Sequence, residues 1–183
     1  MFYLVIGGSG SGKSAYAEEL MMGFSDVEKK YYLATMQVFD EEGKKKIERH
    51  RKLRQGKGFE TIEDPRAISL SVEKMGQGSA VLLECMSNLV ANEMFGDGRI
   101  CSGEVVTEKI LADVMELKKR VKHLVIVSNN VFEDGITYDV ATMEYIRVLG
   151  RINQALLLEA DTAVEVVVGL PVFLKGGKKV CGC

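Results

Sequence analysis

The octapeptide GGSGSGKS, residues 7–14, stands directly behind the apolar run FYLVI. Gly7, Gly12, Lys13 and Ser14 satisfy the spacing G-x-x-x-x-G-K-[ST]. Glycines let the backbone of Gly7, Gly8, Ser9, Gly10, Ser11 and Gly12 wrap so tightly that successive N–H groups point at phosphate oxygens. A helix starting near Lys13 adds its positive dipole end. Lys13 then reaches the β- and γ-phosphates, and Ser14 offers a hydroxyl to Mg²⁺. A Gly/Ser turn can match this spacing by chance. Here a strand precedes it and a helix follows, as the mechanism requires, and that order commits the chain to opening with a strand–loop–helix unit.

The remaining pattern extends that unit. The strands predicted after FYLVI are KYYLAT, FETIE, AVLLE, HLVIVS and TAVEVVVG. Between them lie helical patterns: residues 14 to 22, a charged segment from Asp40 to Gln55, MSNLVANEMF, VVTEKILADVMELKKRV and VATMEYIRVLGRINQALLLEA. Continuous Val/Ile/Leu runs belong to strands covered on both faces, and alternation with helices belongs to parallel crossovers. The expected fold is α/β: one P-loop NTPase-like, doubly wound domain over residues 1–183, with a mostly parallel sheet and helices on both faces. Ligands of such sheets collect at the carboxyl ends of the strands. FGDGRICSG, residues 95–103, reads as a connector between two helices.

Composition narrows the partners. The formal charge of −2 lacks the basic excess of a broad nucleic-acid footprint, so no nucleic acid is expected. No apolar stretch approaches a membrane span. The start MFYLVIGG has no basic region and no cleavage site, and reads as a first strand. Cys85, Cys101, Cys181 and Cys183 form no disulfide framework, so a reducing cytoplasm is the expected compartment. The terminal Cys-Gly-Cys lacks the four-ligand set of a soft-metal site and reads as a frayed end.

Two further groups bear on chemistry. A Mg²⁺-binding acid belongs at the end of a second buried strand. AVLLE offers Glu84 there, a Glu where Asp is common, and it either holds the metal through water or contacts the ribose. The second group is KKKIERHRKLRQGKG, residues 44–58. Charge runs are usually solvated helix faces, and spacing alone favours that reading. The sharper alternative starts from His50, flanked by Arg49, Arg51 and Lys52, with Arg54 one turn on. Neighbouring cations favour neutral imidazole, which can act as a nucleophile while they stabilise a transferring phosphoryl or nucleotidyl group. His123, ahead of LVIVS, reads as structural.

LVIGGSGSGKSAYAE, YLATMQVFDEEGKKKIERHR, ETIE, VLLECMSNLVANEMF, VIVSNNV and GRINQALLLEAD together resemble the bifunctional adenosylcobinamide kinase/adenosylcobinamide-phosphate guanylyltransferases of cobalamin biosynthesis. The resemblance covers nearly the whole chain, and the segment ATMQ…D…IERHR is its most specific part. It implies two reactions. Adenosylcobinamide is phosphorylated on its aminopropanol hydroxyl by ATP or GTP. GMP is then transferred from GTP to adenosylcobinamide phosphate through a GMP–histidine intermediate, with Mg²⁺ as cofactor. The matching histidine is His50, so the resemblance reverses the reading of that segment. It implies that Gly7 to Ser14 bind phosphates and that Arg51, Lys52, Leu53 and Arg54 flank the reacting nucleotide. Ala34, Thr35 and Met36 would line the nucleotide site, Glu63 and Glu84 would contact the guanosine part, and the protein would be a homotrimer.

The chain departs from that family pattern in three places. Gly10 stands where the P-loop often carries Arg, Asn130 stands where an acid is usual, and the stretch from Arg54 to Glu63 is one residue longer. A monofunctional P-loop kinase would need Lys13, Ser14 and an acid but not His50. A nucleotide-binding regulatory module is the third reading, although the chain has no convincing N-K-x-D guanine-reading element and no extra docking domain.

Overall fold

The computed structural model describes residues 1–37, 48, 56–96, 98, 100–131 and 135–177. The six predicted strands form as β1 (Phe2–Gly7), β2 (Lys30–Ala34), β3 (Phe59–Glu63), β4 (Ala80–Glu84), β5 (His123–Asn129) and β6 (Thr162–Val167). They pair in parallel within one sheet, and β7 (Leu170–Lys175) adds an antiparallel edge beside β6. The order is β3-β2-β4-β5-β1-β6-β7, which sets β1 among the inner strands. The last predicted strand, TAVEVVVG, ended at Gly169, so β7 was not predicted. The helices are α1 (Lys13–Gly23), α2 (Ile68–Val72), α3 (Met86–Phe95), α4 (Gly103–Arg120) and α5 (Val140–Glu159). The five-residue α2 was not predicted. The predicted charged helix from Asp40 to Gln55 falls, save for Glu48, outside the described residues.

Alternate residues of the inner strands face opposite layers. Val5, Leu82, Val125 and Val127 meet Ala17 and Met21 of α1 on one face. Leu4, Leu83 and Ile126 meet apolar residues of α2 to α5 on the other. Each fully buried Val, Leu or Ile stabilises the fold by roughly 1.5–3 kcal/mol. This two-sided burial explains why the strands read as unbroken apolar runs. α5 starts cleanly because the Asp139 carboxylate accepts from the N–H groups of Ala141 at 3.0 Å and Thr142 at 3.1 Å.

His123 begins β5, at the amino edge of the sheet, away from the glycine loop. Its ring stacks on Phe24 with centroids 4.2 Å apart, and Nε2 shares a hydrogen bond with Asp26 Oδ1 at 3.0 Å. The structural reading of this histidine fits that environment. Hydrogen bonds from Lys122 and then His123 hold the Asp26 carboxyl down at about 2. A depressed carboxylate stabilises the fold above its unfolded pKa, and the effect fades as pH falls through the folded value. Asp26→Asn should therefore lower the urea midpoint at neutral pH, and the gap to the unaltered chain should close between about pH 4 and pH 2. Urea melts across that range test this. A gap that stays constant would remove the linkage.

Candidate functional site

The glycine loop sits where β1 ends and α1 begins, and packing fixes its residues. A Cβ on Gly7 would lie 2.5 Å from Ser11 Oγ and 2.8 Å from the Val166 carbonyl, so no larger residue fits. Gly12 precedes α1 at φ 91°, in the left-handed region, with the Gly169 backbone close by. The loop closes on itself through Ser11 N–H to Gly8 O at 3.2 Å. The turn between β6 and β7 braces it from outside, with Gly169 N–H donating to Ser11 O at 2.8 Å.

Lys13 is only 9% exposed, and its Nζ donates to Gly8 O at 3.0 Å. The ammonium therefore lies across the loop rather than out in solvent. Ser14, one residue into the helix, donates through Oγ to Glu84 Oε1 at 2.7 Å. This joins the first turn of α1 to the carboxyl end of β4. A hydroxyl and a carboxylate beside a phosphate loop suit Mg²⁺, a hard cation that keeps several waters and takes few protein ligands. Among the described residues no group of three or more His, Cys, Asp or Glu side chains is arranged to hold a metal.

Sheet register collects the remaining predicted positions. Ala34 of β2 lies opposite Glu63 of β3 on one side and Glu84 of β4 on the other. The three share one row at the carboxyl edge. Thr35, next in line, is fully buried. Its Oγ1 donates to Cys85 O and accepts from Cys85 N–H, both at 2.8 Å. Its N–H donates to Glu84 O at 3.0 Å, and Asn92 Nδ2 donates to its carbonyl at 2.7 Å. Thr35 thus fixes the corner that presents Glu84. Met36 is half-buried beyond it. His50, Arg51, Lys52, Leu53 and Arg54 lie outside the described residues. Cys181 and Cys183 do as well.

The structure also adds a feature that the sequence did not announce. A cleft of about 870 Å³ opens beside Gly8 to Ser11. Asn129 to Val131 at the end of β5, Tyr138 and Tyr145 around the start of α5, and Glu165 to Val168 of β6 line the rest. Asn130 Nδ2 donates to Glu165 Oε1 at 3.1 Å. Burial pushes the Tyr145 hydroxyl up to about 12, with the neighbouring Cys85 adding to it. That phenol therefore stays protonated and donates to Ser87 O at 3.3 Å. Burial first, then the Glu84 charge, also pushes the Cys85 thiol up, which argues against a reactive cysteine there. Glu165 was missed because it looks like one polar residue in an alternating strand. Its only signal was its position near the carboxyl end of that strand.

A phosphate loop at the end of an inner parallel strand, with a serine–glutamate pair behind it, defines a P-loop NTPase-like nucleotide-binding protein. A solved ATPase domain has the same fold with TM-score 0.50 and 14% identity, over 90% of this chain and 68% of that one. The family described as cobinamide kinase / cobinamide phosphate guanyltransferase matches residues 3–174, and the chain belongs to it. The bifunctional adenosylcobalamin biosynthesis protein CobU of Salmonella typhimurium is 29% identical over 96% of this chain and 100% of its own length. The protein of that name from Escherichia coli is 30% identical over the same shares. No helix among the described residues is long and apolar enough to cross a membrane.

Thr35→Val keeps the shape and removes the hydroxyl that accepts from Cys85 N–H, whereas Cys85 O keeps its bond from Leu89 N–H at 3.2 Å. The stranded N–H costs about 1–3 kcal/mol. The variant should lose stability on that scale in urea melts and bind nucleotide more weakly in a titration, because the Glu84 corner is no longer held. Unchanged nucleotide affinity would detach Thr35 from the site.

Proposed function

We propose that the chain phosphorylates the aminopropanol hydroxyl of adenosylcobinamide with ATP or GTP, and then transfers GMP from GTP to the resulting phosphate through a GMP–His50 intermediate. Family membership supports the pair of reactions. The observation that carries the nucleotide chemistry is the Ser14–Glu84 hydrogen bond beside a loop whose lysine is buried across it. Gly7 to Gly12 would wrap the phosphates with backbone N–H groups, and Lys13 would neutralise charge on the phosphate oxygens as the bond from phosphorus to the bridging oxygen breaks. Ser14 would ligate Mg²⁺, and Glu84 would accept from its hydration shell. Bound there, the ion supplies charge to the phosphate oxygens.

The chain leaves the carboxyl edge of the sheet after Ala34, and His50 lies in the segment that leaves there. Lys57, just downstream, forms an ion pair with the buried Glu18 of α1, the helix that begins at the glycine loop. That pair ties the downstream end of the segment to the body of α1, while Phe59, where β3 starts, lies at the amino edge of the sheet. The role proposed for His50 rests on family membership and the sequence resemblance. Arg51 and Arg54 would then stabilise charge on the transferring nucleotidyl group. Splitting guanylyl transfer into two displacements lets one site serve both halves. We further propose a homotrimer acting in the cytoplasm.

Assays of the two reactions on separate acceptors test this reading. Lys13→Ala should abolish phosphorylation of adenosylcobinamide, since nothing else described in the loop supplies that cation. His50→Ala should abolish guanylylation of supplied adenosylcobinamide phosphate and leave phosphorylation measurable. Equal loss of both in His50→Ala would mark a structural histidine. An unaltered chain that phosphorylates but never guanylylates would leave a simple kinase.

A further inference from the structure

The cleft beside the glycine loop is distinct in chemistry from the Ser14–Glu84 corner. It opens on the face covered by α5, whereas α1 packs on the other face. It borders the end of the phosphate chain: Lys13, the residue type that meets β- and γ-phosphates, lies 3.0 Å from the carbonyl of Gly8, and Gly8 is part of the cleft wall. Its mouth is apolar. Tyr138, Ile146, Val167 and Val168 line it, and Val168 is 87% exposed. Among the described residues one carboxylate lines the cleft, that of Glu165, oriented by Asn130.

Val168 supplies an independent observation. With Gly169 it forms the turn of the β6–β7 hairpin, at φ 50° and 81°. Both positions are left-handed, and Asn-Gly or Asp-Gly is the usual choice. A β-branched residue in that region is strained, and such outliers gather where function requires them. An exposed valine kept against backbone preference, at the mouth of a cleft beside the phosphate loop, fits a demand for apolar contact with a ligand.

We infer that this cleft is the acceptor site of the kinase reaction, with Glu165 as the base that receives the proton of the acceptor hydroxyl. The inference rests on the proposed phosphorylation of adenosylcobinamide, a bulky alcohol with a large apolar periphery. Val168, Val167, Tyr138 and Ile146 hold that periphery, and the hydroxyl reaches inward to the loop. Glu165 takes the hydroxyl proton as the oxygen forms its bond to the γ-phosphorus. The bond from that phosphorus to the β,γ-bridging oxygen breaks, the nucleoside diphosphate leaves with the electron pair, and the proton passes from Glu165 to water.

The unaltered chain is first assayed for phosphorylation of adenosylcobinamide with ATP; failure there sinks the proposed function itself, and this inference with it. Given that activity, Glu165→Gln should lower kcat for phosphoryl transfer about 100-fold or more while ATP affinity stays unchanged. Val168→Asn, which suits the turn better, should melt no lower than the unaltered chain yet raise KM for the acceptor about fivefold, with KM for ATP unmoved. An undiminished kcat in Glu165→Gln overturns the base. An unmoved acceptor KM in Val168→Asn overturns the apolar mouth, even while the kinase activity stands.

Discussion

The 2.7 Å hydrogen bond from Ser14 to Glu84 joins the two elements on which the site depends. One end stands on the first turn of α1, placed by a glycine loop that tolerates no Cβ at Gly7. The other stands on β4, held by Thr35 through Cys85. Neither end is positioned by the residues beside it alone. The parallel register brings them together, since β1, β4 and β5 finish on the same edge and Ala34 aligns Glu63 with Glu84. Two-sided burial of Leu82, Leu83, Val125 and Ile126 keeps that register from slipping, because a one-residue shift would exchange the layers they face.

Around this pair the site divides into sides of different character. Toward β4, β2 and β3 lies the acidic row with Glu63 and Glu84. Toward β6 and β7 lies the apolar-mouthed cleft with Glu165 at its wall. The glycine loop stands between them and is braced by the hairpin turn through Gly169. A two-step reaction on one acceptor needs nucleotide chemistry and acceptor recognition to meet at the same phosphate. The sheet order, with β1 between β5 and β6, puts the glycine loop next to the cleft proposed to take the acceptor.

Much of this was legible from residues 1 to 37 and from the buried runs. GGSGSGKS carries its own mechanism, and AVLLE and HLVIVS are too apolar to be anything but covered strands. β7 was not legible. Val166, Val167, Val168 and Gly169 read as the end of the last strand, and a Val-Gly turn lacks the Asn-Gly signature of a hairpin. Pro171 further weakened any strand signal there. α2 spans five residues with no side-chain cap, below what periodicity can register. Thr35 was predicted at the site, but its inward hydroxyl depends on a corner of β4 about fifty positions away. Glu165 was hidden because strand alternation assigns a lone acid to solvent. The role proposed for His50 came from resemblance alone, since its neighbours look like any solvated charged helix.

The direct test of the account is covalent. The protein is incubated with Mg²⁺ and GTP labelled at the α-phosphate, then denatured. The account predicts label on the chain that survives alkali and is lost in acid, as a phosphorus–nitrogen bond requires. It should be absent from His50→Ala and discharged by adenosylcobinamide phosphate. A chain that binds GTP, carries no such label, and still guanylylates the acceptor would contradict the histidine route outright.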